Sequence, residues 1–172
     1  FLMKVLVDYP NAREEAEIVR RMATDRPSAR AVLGNGRLVA LQQAADDVFL
    51  HDAVLDYAVR LVLATRQPAE HGLPELAPLI GHGVSPRATL GLVAAGRALA
   101  LIRGRRYVLP QDVFDVAPDV LRHRLLLSYD ALADGVEVED VVTRLLSTVV
   151  APRVSPSQDG PVIEPARASA AA

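Results

Sequence analysis

The chain has 172 residues, a formal net charge of −2, a hydrophobic fraction of 51% and an aromatic fraction of only 4%. This length suits one domain with room for a short appendage, and a core of Ala, Val and Leu favours closely packed helices. The lack of cysteine excludes disulfides, thiolate metal sites and cysteine nucleophiles. A dedicated nucleic-acid-binding protein would usually be basic, so the near-neutral charge disfavours that class.

The sequence indicates neither a metal site nor a membrane segment. The four histidines lack metal-motif spacing, and the longest apolar runs are far below the roughly 18 residues that a spanning helix needs. The opening FLMKVLVDYP has too short an apolar run for a signal peptide and lacks a basic leader and a cleavage site. We therefore expect no metal ligands, no membrane span and a cytoplasmic location. The start at Phe1 rather than Met predicts a piece of a longer protein.

The first elements are a strand and a helix. Residues 1–7 are apolar and rich in strand formers, so they predict a strand whose partner strands would have to lie upstream. Asn11 with Glu14 three residues later is typical of a capping box, and it predicts a helix over 11–24.

The remaining pattern is mostly helical. Apolar spacing and caps predict further helices over 37–46, 53–66, 86–102, 110–117 and 137–150, with a separate helical turn at 118–124. Asp52 is the predicted cap of its helix, and Gly91 and Gly96 indicate close approach of another backbone. Residues 67–84 are rich in Pro and Gly and predict a long irregular connection. Three short apolar runs predict one small sheet: 48–50, 107–109 and 125–127.

Composition divides the chain into three parts. Residues 1–10 form a junction, residues 11–150 a helical domain, and residues 151–172 a tail rich in Pro, Ser and Ala. The tail has no apolar pattern from which to build a core, so we expect it to be flexible.

The stretch GHGVSPRATL, residues 81–90, contains an unusual charge. Ser85 is a favourable N-cap and Pro86 a favourable first helical residue, which places Arg87 in the first turn. A positive charge there opposes the helix dipole and costs about 0.3–1 kcal/mol unless an anion is near. Two interpretations stay open from the residues alone. Arg87 meets a phosphate or carboxylate ligand, or it meets an Asp or Glu of this chain or plain solvent.

Other charged groups have structural interpretations. Arg66 and the cluster Arg103, Arg105 and Arg106 follow predicted helix ends, where cations complement the dipole, with a subunit contact as the alternative for the cluster. The run Arg122, His123 and Arg124 predicts ion pairs at the core edge with Asp115 or Asp119, rather than an anion site or subunit bridge. The acidic residues Asp46, Asp47 and Asp52 do not match an EF-hand and predict caps and a solvated turn.

Several motifs in order carry a resemblance to a known family. The segment GVSPRATLGLVAAGRALALIRGRRYVLPQDVFDVAPDVLRHRL, residues 83–125, resembles the C-terminal lid of MoxR-type AAA+ ATPases. That family carries a G-[AV]-S-P-R-A helix start, a GR-x-YV-x-P-x-DV segment and a VLRHR segment. FLMKVLVDYP resembles the junction that leaves the ATPase core, and YAVRLVLATR resembles the helix before the long loop. The resemblance covers roughly residues 1–150.

This resemblance implies a fold and a function. The fold would be mostly α, an AAA+ helical lid domain with a minor short-stranded β element, preceded by one orphan strand of the αβα core. The lid would close over ATP bound with Mg²⁺. Arg87 would be the sensor 2 residue that reaches the γ-phosphate, with Ser85 and Pro86 beside it in the nucleotide site. The parent would be a chaperone-like remodelling ATPase in a homo-oligomeric ring, a hexamer, with client proteins that include von Willebrand factor A domain proteins and no nucleic acid.

The catalytic core motifs are missing from this sequence. It contains no G-x-x-x-x-G-K-[ST], the only lysine is Lys4, and GNGR at 34–37 lacks the Lys and Ser/Thr of a phosphate loop. No acidic strand end resembles a Walker B element. We therefore expect this chain alone not to hydrolyse ATP and not to hold a nucleotide tightly. Two alternatives remain: a non-enzymatic, winged-helix-like module that binds protein or nucleic acid, and a purely oligomerising domain.

Overall fold

A computed structural model describes residues 1–23 and 28–153. Helices dominate it, and they are α1 (Ala12–Met22), α2 (Asn35–Asp46), α3 (Asp52–Arg66), α4 (Pro86–Ile102), α5 (Pro110–Leu121), α6 (Tyr129–Ala133) and α7 (Val138–Thr148). The strands are β1 (Ile80–His82) and β2 (Leu126–Leu127), and two short 3₁₀ helices cover Pro68–His71 and Pro74–Leu76. The mostly helical fold with a small β element is thus confirmed. Residues 154–172, nearly all of the predicted tail, lie outside the described residues.

The core forms where α3, α4, α5 and α7 meet. α3 is buried along one side, at Val54, Tyr57, Ala58, Leu61 and Val62. Its neighbours α4 and α5 contact each other extensively through small residues. A Cβ added at Gly91 would lie 3.0 Å from Val120 Cγ1, and one at Gly96 would lie 3.5 Å from Val108 Cγ1. Valine side chains, rather than the backbone that the sequence suggested, therefore occupy the space over these glycines.

The predicted three-stranded sheet is wrong. β2 pairs antiparallel with β1, with Ile80 opposite Leu127. The predicted runs 48–50 and 107–109 meet separately, through a single parallel bridge between Phe49 and Tyr107. Strand β1 lies within residues 67–84, where the content of Pro and Gly predicted an irregular connection. A Cβ at Gly81 would lie only 3.0 Å from Leu127 O, so glycine is what allows the two strands to approach.

Two helix predictions are also corrected, and one helix was missed. α5 runs through Pro118 to Leu121, so residues 118–124 are not a separate turn of helix. Burial of Val120 and Leu121 in the core offsets the hydrogen bond that a proline removes. His51, not Asp52, caps α3: its Nδ1 accepts a hydrogen bond from Ala53 N at 3.0 Å. Helix α6 was not predicted at all, since one short turn has too few residues to show a period.

Of the two elements predicted at the N-terminus, the helix forms and the strand does not. The capping box of α1 is confirmed, because Asn11 Oδ1 accepts from Glu14 N at 3.0 Å and Glu14 Oε2 accepts from Asn11 N at 2.9 Å. Residues 1–10 form no strand in this structure; the described residues offer them no partner strand. The first four residues lie extended against the end of α5 instead.

Candidate functional site

Arg87 is the second residue of α4, as the sequence predicts. The helix begins at Pro86, and Ser85 occupies the N-cap position with extended backbone. The Ser85 carbonyl accepts a hydrogen bond from Ala88 N at 2.8 Å, but its hydroxyl makes no capping bond. The position of the cap is therefore confirmed, whereas the side-chain bond expected of it is not formed.

The guanidinium of Arg87 points to solvent. The residue is exposed, and within residues 1–23 and 28–153 no group forms a hydrogen bond or an ion pair with its side chain. The Asp or Glu partner that the sequence left open is therefore not found in the described part of the chain. The charge keeps its unfavourable place at the positive end of the helix dipole.

The backbone that leads into α4 is anchored to the end of α3. Thr65 lies in the last turn of α3, where its Oγ1 donates to Val62 O at 2.7 Å and accepts from Val84 N at 3.0 Å. Arg66 Nε donates to Val84 O at 2.7 Å. Both backbone polar groups of Val84 are thus held by α3, three residues before Arg87. A capping side chain would bond to the carbonyls at the end of α3. Arg66 instead links α3 to the segment that leads into α4.

Gly83 is required by the same anchor. A Cβ at this position would lie 2.7 Å from the carbonyl carbon of Thr65 and 2.8 Å from Arg66 Cα, which no real contact permits. Val84, next to it, is 1% exposed. Thr65 was not among the predicted site residues, because nothing in a local pattern distinguishes it from any other threonine on an apolar helix face. Its role appears only when the two segments are brought together.

A shallow apolar groove lies beside the first turn of α4. Its lining comes from α3 and α4: Val59, Val62, Leu63, Arg66, Pro86, Thr89 and Leu90. Leu90 follows Arg87 by three residues, so the two side chains lie on neighbouring positions of one helix face. Leu90 is 71% exposed, which is high for a leucine of a helix that is otherwise well packed. The surface around Arg87 therefore combines a fixed positive charge with an apolar wall.

The basic cluster after α4 is structural. Asp112 is fully buried, and both its oxygens accept from Arg105, with Nη1–Oδ2 at 2.7 Å and Nη2–Oδ1 at 2.6 Å. Arg103 Nη1 and Leu109 N also donate to Asp112, at 2.9 and 2.8 Å. Arg103 reaches Asp115 as well, at 2.6 Å. Arg103 is the C-cap residue of α4, as its place after the helix predicts, but the side chains of Arg103 and Arg105 pair with carboxylates of α5.

These bonds decide the protonation of Asp112. Burial by itself would raise the pKa of the Asp112 carboxyl, but the hydrogen bonds from Arg105, Leu109 N and Arg103 outweigh burial and hold the pKa below its usual value. The same pairing raises the pKa of the Arg105 guanidinium. Both groups are consequently charged at neutral pH, and their ion pair links the connection after α4 to the first turn of α5.

The second basic run also lies at the core edge. Arg122 forms an ion pair with Asp119, as predicted, and its Nε lies 3.0 Å from Glu139 Oε1. Arg124 instead donates to main-chain carbonyls, including that of Val120 at 2.5 Å. Four arginines of the two basic runs therefore bond within the domain and are not free to contact a nucleic acid: Arg103, Arg105, Arg122 and Arg124. No observation favours the nucleic-acid-binding alternative.

Neither a metal centre nor a membrane span is found in the described part of the chain. No three His, Asp or Glu side chains among those residues are grouped closely enough to hold a metal ion. Asp46 ends α2, Asp47 is its C-cap and Asp52 begins α3, so the three acidic residues are distributed over two helix ends. None of the helices that the structure describes is both long and apolar enough to cross a bilayer.

Comparison with known proteins identifies a family, relatives and a solved structure that are similar to this chain. Residues 76–145 match the model of the AAA lid domain family. The chain is 49% identical to Chaperone MoxR1 of Mycobacterium tuberculosis over 173 residues, which cover 100% of this chain and 46% of that protein. It is 39% identical to Protein MoxR of Paracoccus denitrificans, over 74% of this chain and 41% of the relative. A crystal structure of a protein assigned as an ATPase, from Cytophaga hutchinsonii, superimposes with a TM-score of 0.84 at 31% identity, covering 89% of this chain and 47% of that one.

The fold and these matches define an AAA+ lid domain. More narrowly, the chain belongs to the MoxR-type AAA+ ATPases and corresponds to their C-terminal lid region. It spans somewhat less than half the length of the relatives that it matches.

Proposed function

We propose that this chain closes over ATP bound by an ATPase core and that Arg87 reaches the γ-phosphate as the sensor 2 residue. The observation that carries the proposal is the state of Arg87: an exposed guanidinium in the first turn of α4, with no carboxylate partner among the described residues. Such a charge is unfavourable where it stands and becomes favourable when an anion arrives.

The chemistry of the γ-phosphate suits this group. Arginine stays charged at any physiological pH and presents a planar fork of donors that matches phosphate oxygens. In phosphoryl transfer the protein acts mainly by positioning and by stabilising charge, so a guanidinium at the γ-phosphate both favours the transition state and reports whether the phosphate is present.

Arg87 is also mounted rigidly enough for that task. The anchor made by Thr65 and Arg66 fixes Val84, and Gly83 allows the close approach, so α4 starts at a defined place relative to α3. Ser85 and Pro86 set the direction of the first turn. The lid can therefore move as a unit, carrying Arg87 toward or away from the nucleotide.

This chain would supply only part of the nucleotide site. It has no phosphate loop, and the described residues hold no carboxylate group suited to Mg²⁺. The contacts to Mg²⁺ and to the other phosphates would come from the ATPase core. The apolar groove with Leu90 gives the lid a surface that can rest on a less polar part of the bound nucleotide or on the core.

The wider role follows from the family. The parent protein would be a chaperone-like remodelling ATPase whose subunits assemble in a homo-oligomeric ring, a hexamer, in the cytoplasm. Its clients would be proteins, with von Willebrand factor A domain proteins as candidates. Size measurement of the ATP-bound parent by light scattering tests the ring, because a monomer under those conditions would contradict it.

Steady-state ATP turnover of the core-containing parent tests the role of Arg87. Arg87→Ala should reduce kcat by about a hundredfold to a thousandfold, the loss expected when a charge-stabilising donor is removed. Arg144→Ala is the matched control, since Arg144 is also an exposed helical arginine without an ion pair in the described residues. Unchanged turnover in Arg87→Ala, with wild-type folding, would refute the sensor assignment.

A further inference from the structure

The extended segment Phe1–Lys4 is bound to the end of α5 by its main chain. Arg124 Nη2 donates to Phe1 O at 2.6 Å, and Arg124 Nη1 donates to Leu2 O at 2.9 Å. Arg122 Nη1 donates to Lys4 O at 2.8 Å. In the reverse direction, Lys4 N donates to Asp119 O at 2.8 Å. Four hydrogen bonds thus hold four residues, and every group contributed by the segment is a backbone group.

A small apolar contact accompanies these bonds. Met3 is partly buried against the core, and Leu2 Cδ1 lies 3.5 Å from the place where a Cβ of Gly91 would be. Val120 Cγ1 lies 3.0 Å from the same place. Gly91 therefore provides the space in which α4 receives both Val120 and Leu2, although this glycine lies in the interior of a helix where it costs about 1 kcal/mol.

The described residues that follow this segment are weakly packed. Within 5–23 and 28–34 no residue is buried, and Ala16 alone is partly buried. The apolar residues of α1 stay open, with Ile18 46%, Val19 62% and Met22 53% exposed. Helix α2 contacts α4 but is itself mostly exposed, and the first buried residue after this stretch is Val48. Weakly packed residues, described over 5–23 and 28–34, therefore lie along the sequence between Phe1–Lys4 and α2, and the contact of Phe1–Lys4 depends mainly on its own local bonds.

We propose that Arg122 and Arg124 form a clamp that recognises an extended backbone and couples the chain preceding α1 to the helical domain. Other groups of the domain hold the two guanidinium groups in place: Asp119 and Glu139 contact Arg122, and Val120 O accepts from Arg124. Because the clamp reads carbonyl oxygens, it tolerates different side chains in the segment, apart from the apolar contact of Leu2 and Met3. The proposal does not depend on nucleotide or on the role of Arg87.

Amide hydrogen exchange of the full 172-residue chain tests the clamp. The Lys4 amide should exchange measurably more slowly than an unstructured amide, because it donates to Asp119 O. In Arg124→Ala this protection should fall about tenfold or more, as expected from losing hydrogen bonds to a charged donor. Arg144→Ala should leave it unchanged, and Lys4→Ala should keep it, since the Lys4 side chain takes no part in the clamp.

Protection of α3 amides such as Leu61 reports whether each variant is folded. If Arg124→Ala loosens the whole domain, Lys4→Pro is the second test, because it removes the N–H from an exposed segment without touching α5. The nuclear Overhauser contact between the Leu2 methyls and Gly91 Hα should then be lost while α3 stays protected. The proposal is overturned if wild-type Lys4 exchanges as an unstructured amide, if Arg124→Ala matches Arg144→Ala in a folded domain, or if the Leu2–Gly91 contact survives Lys4→Pro.

Discussion

Arg105 and Asp112 form a two-pronged ion pair in which both terminal nitrogens of the guanidinium donate to the two oxygens of a carboxylate with 0% exposure. The pair explains why Arg105 and Asp112 occur together in the GR-x-YV-x-P-x-DV pattern. Arg105 lies in the connection after α4, and Asp112 lies in the first turn of α5, where it also accepts from Leu109 N. The motif thus closes a turn and fixes α5 against α4.

Breaking this pair should destabilise the domain strongly. Asp112→Asn should lower the free energy of unfolding by about 1–3 kcal/mol, because it removes the counter-charge of the partly exposed Arg105 and leaves a fully buried hydrogen-bond network incompletely matched. Urea denaturation monitored by circular dichroism measures the change. Asp134→Asn is the control, since Asp134 is exposed at the C-cap of α6 and should change stability by less than about 0.5 kcal/mol. Similar stabilities for the two variants would contradict the structural role of Asp112.

The same pair should make stability depend on acid pH. The pKa of Asp112 is lower in the folded protein than in the unfolded chain, where it lies at about 3.9. Its contribution is therefore fully present above that unfolded pKa and is lost as the pH falls through the lower folded pKa. Urea titrations at several pH values should show the difference between wild type and Asp112→Asn shrinking below about pH 4. A constant difference down to about pH 2 would mean that Asp112 does not carry this dependence.

The approach of β1 and α4 to α3 should not tolerate a side chain at position 83. Gly83→Ala would place a Cβ 2.7 Å from the carbonyl carbon of Thr65, so the backbone must shift, and we expect a loss of stability of about 2 kcal/mol or more. Gly36→Ala is the matched control. Nothing lies within 4 Å of a Cβ there, and in helix α2 the substitution should stabilise by up to about 1 kcal/mol. Thermal unfolding of both variants measures the contrast, which would be absent if Gly83 were merely a loop residue.

The Thr65 hydroxyl should contribute more to the stability of the domain than the branched shape of the side chain does. Thr65→Val keeps the branched shape but leaves the buried Val84 N–H without an acceptor, at a cost of about 1–3 kcal/mol. Thr65→Ser keeps the hydroxyl and should cost less. Chemical denaturation compares them, and equal losses would indicate that packing rather than the hydrogen bond anchors Val84.

Arg87 should show opposite effects on stability and on function. Arg87→Glu replaces an unfavourable charge at a helix N-terminus by a favourable one, so the 172-residue chain should become more stable by about 0.3–1 kcal/mol or slightly more. ATP turnover of the core-containing parent should fall nonetheless, because the γ-phosphate would lose its cation. Arg144→Glu supplies the comparison on α7. A destabilised Arg87→Glu chain would mean that Arg87 serves the fold after all.

Local signals in the sequence were sufficient for much of the site. Ser85 and Pro86 predict the start of α4, and their position alone places Arg87 in its first turn. The capping box of Asn11 and Glu14 was equally clear from residue types and spacing. Each of these features depends on residues within one helical turn, whose interactions are fixed by local backbone geometry.

Contacts between distant segments could not be inferred in the same way. The residue types allow Arg103 and Arg105 to cap a helix or to pair with a carboxylate, and only the packing of α5 on α4 selects Asp112 as the partner. Pro118 predicts a break in isolation, yet burial around it carries α5 through to Leu121. Strand β1 was missed because its pairing depends on Leu127, far along the chain.

The sequence by itself determined the helical fold and the place of Arg87, since apolar periodicity and caps are local properties. The ordered motifs carried the resemblance to the family. The tertiary structure decided which charged side chains have a partner and which face solvent. Arg105 lies against a buried carboxylate, Arg124 lies against backbone carbonyls, and Arg87 faces solvent. The physical reason is that a charge is stabilised by whatever the fold brings within hydrogen-bonding distance, and for residues far apart in sequence that is settled only when the helices pack.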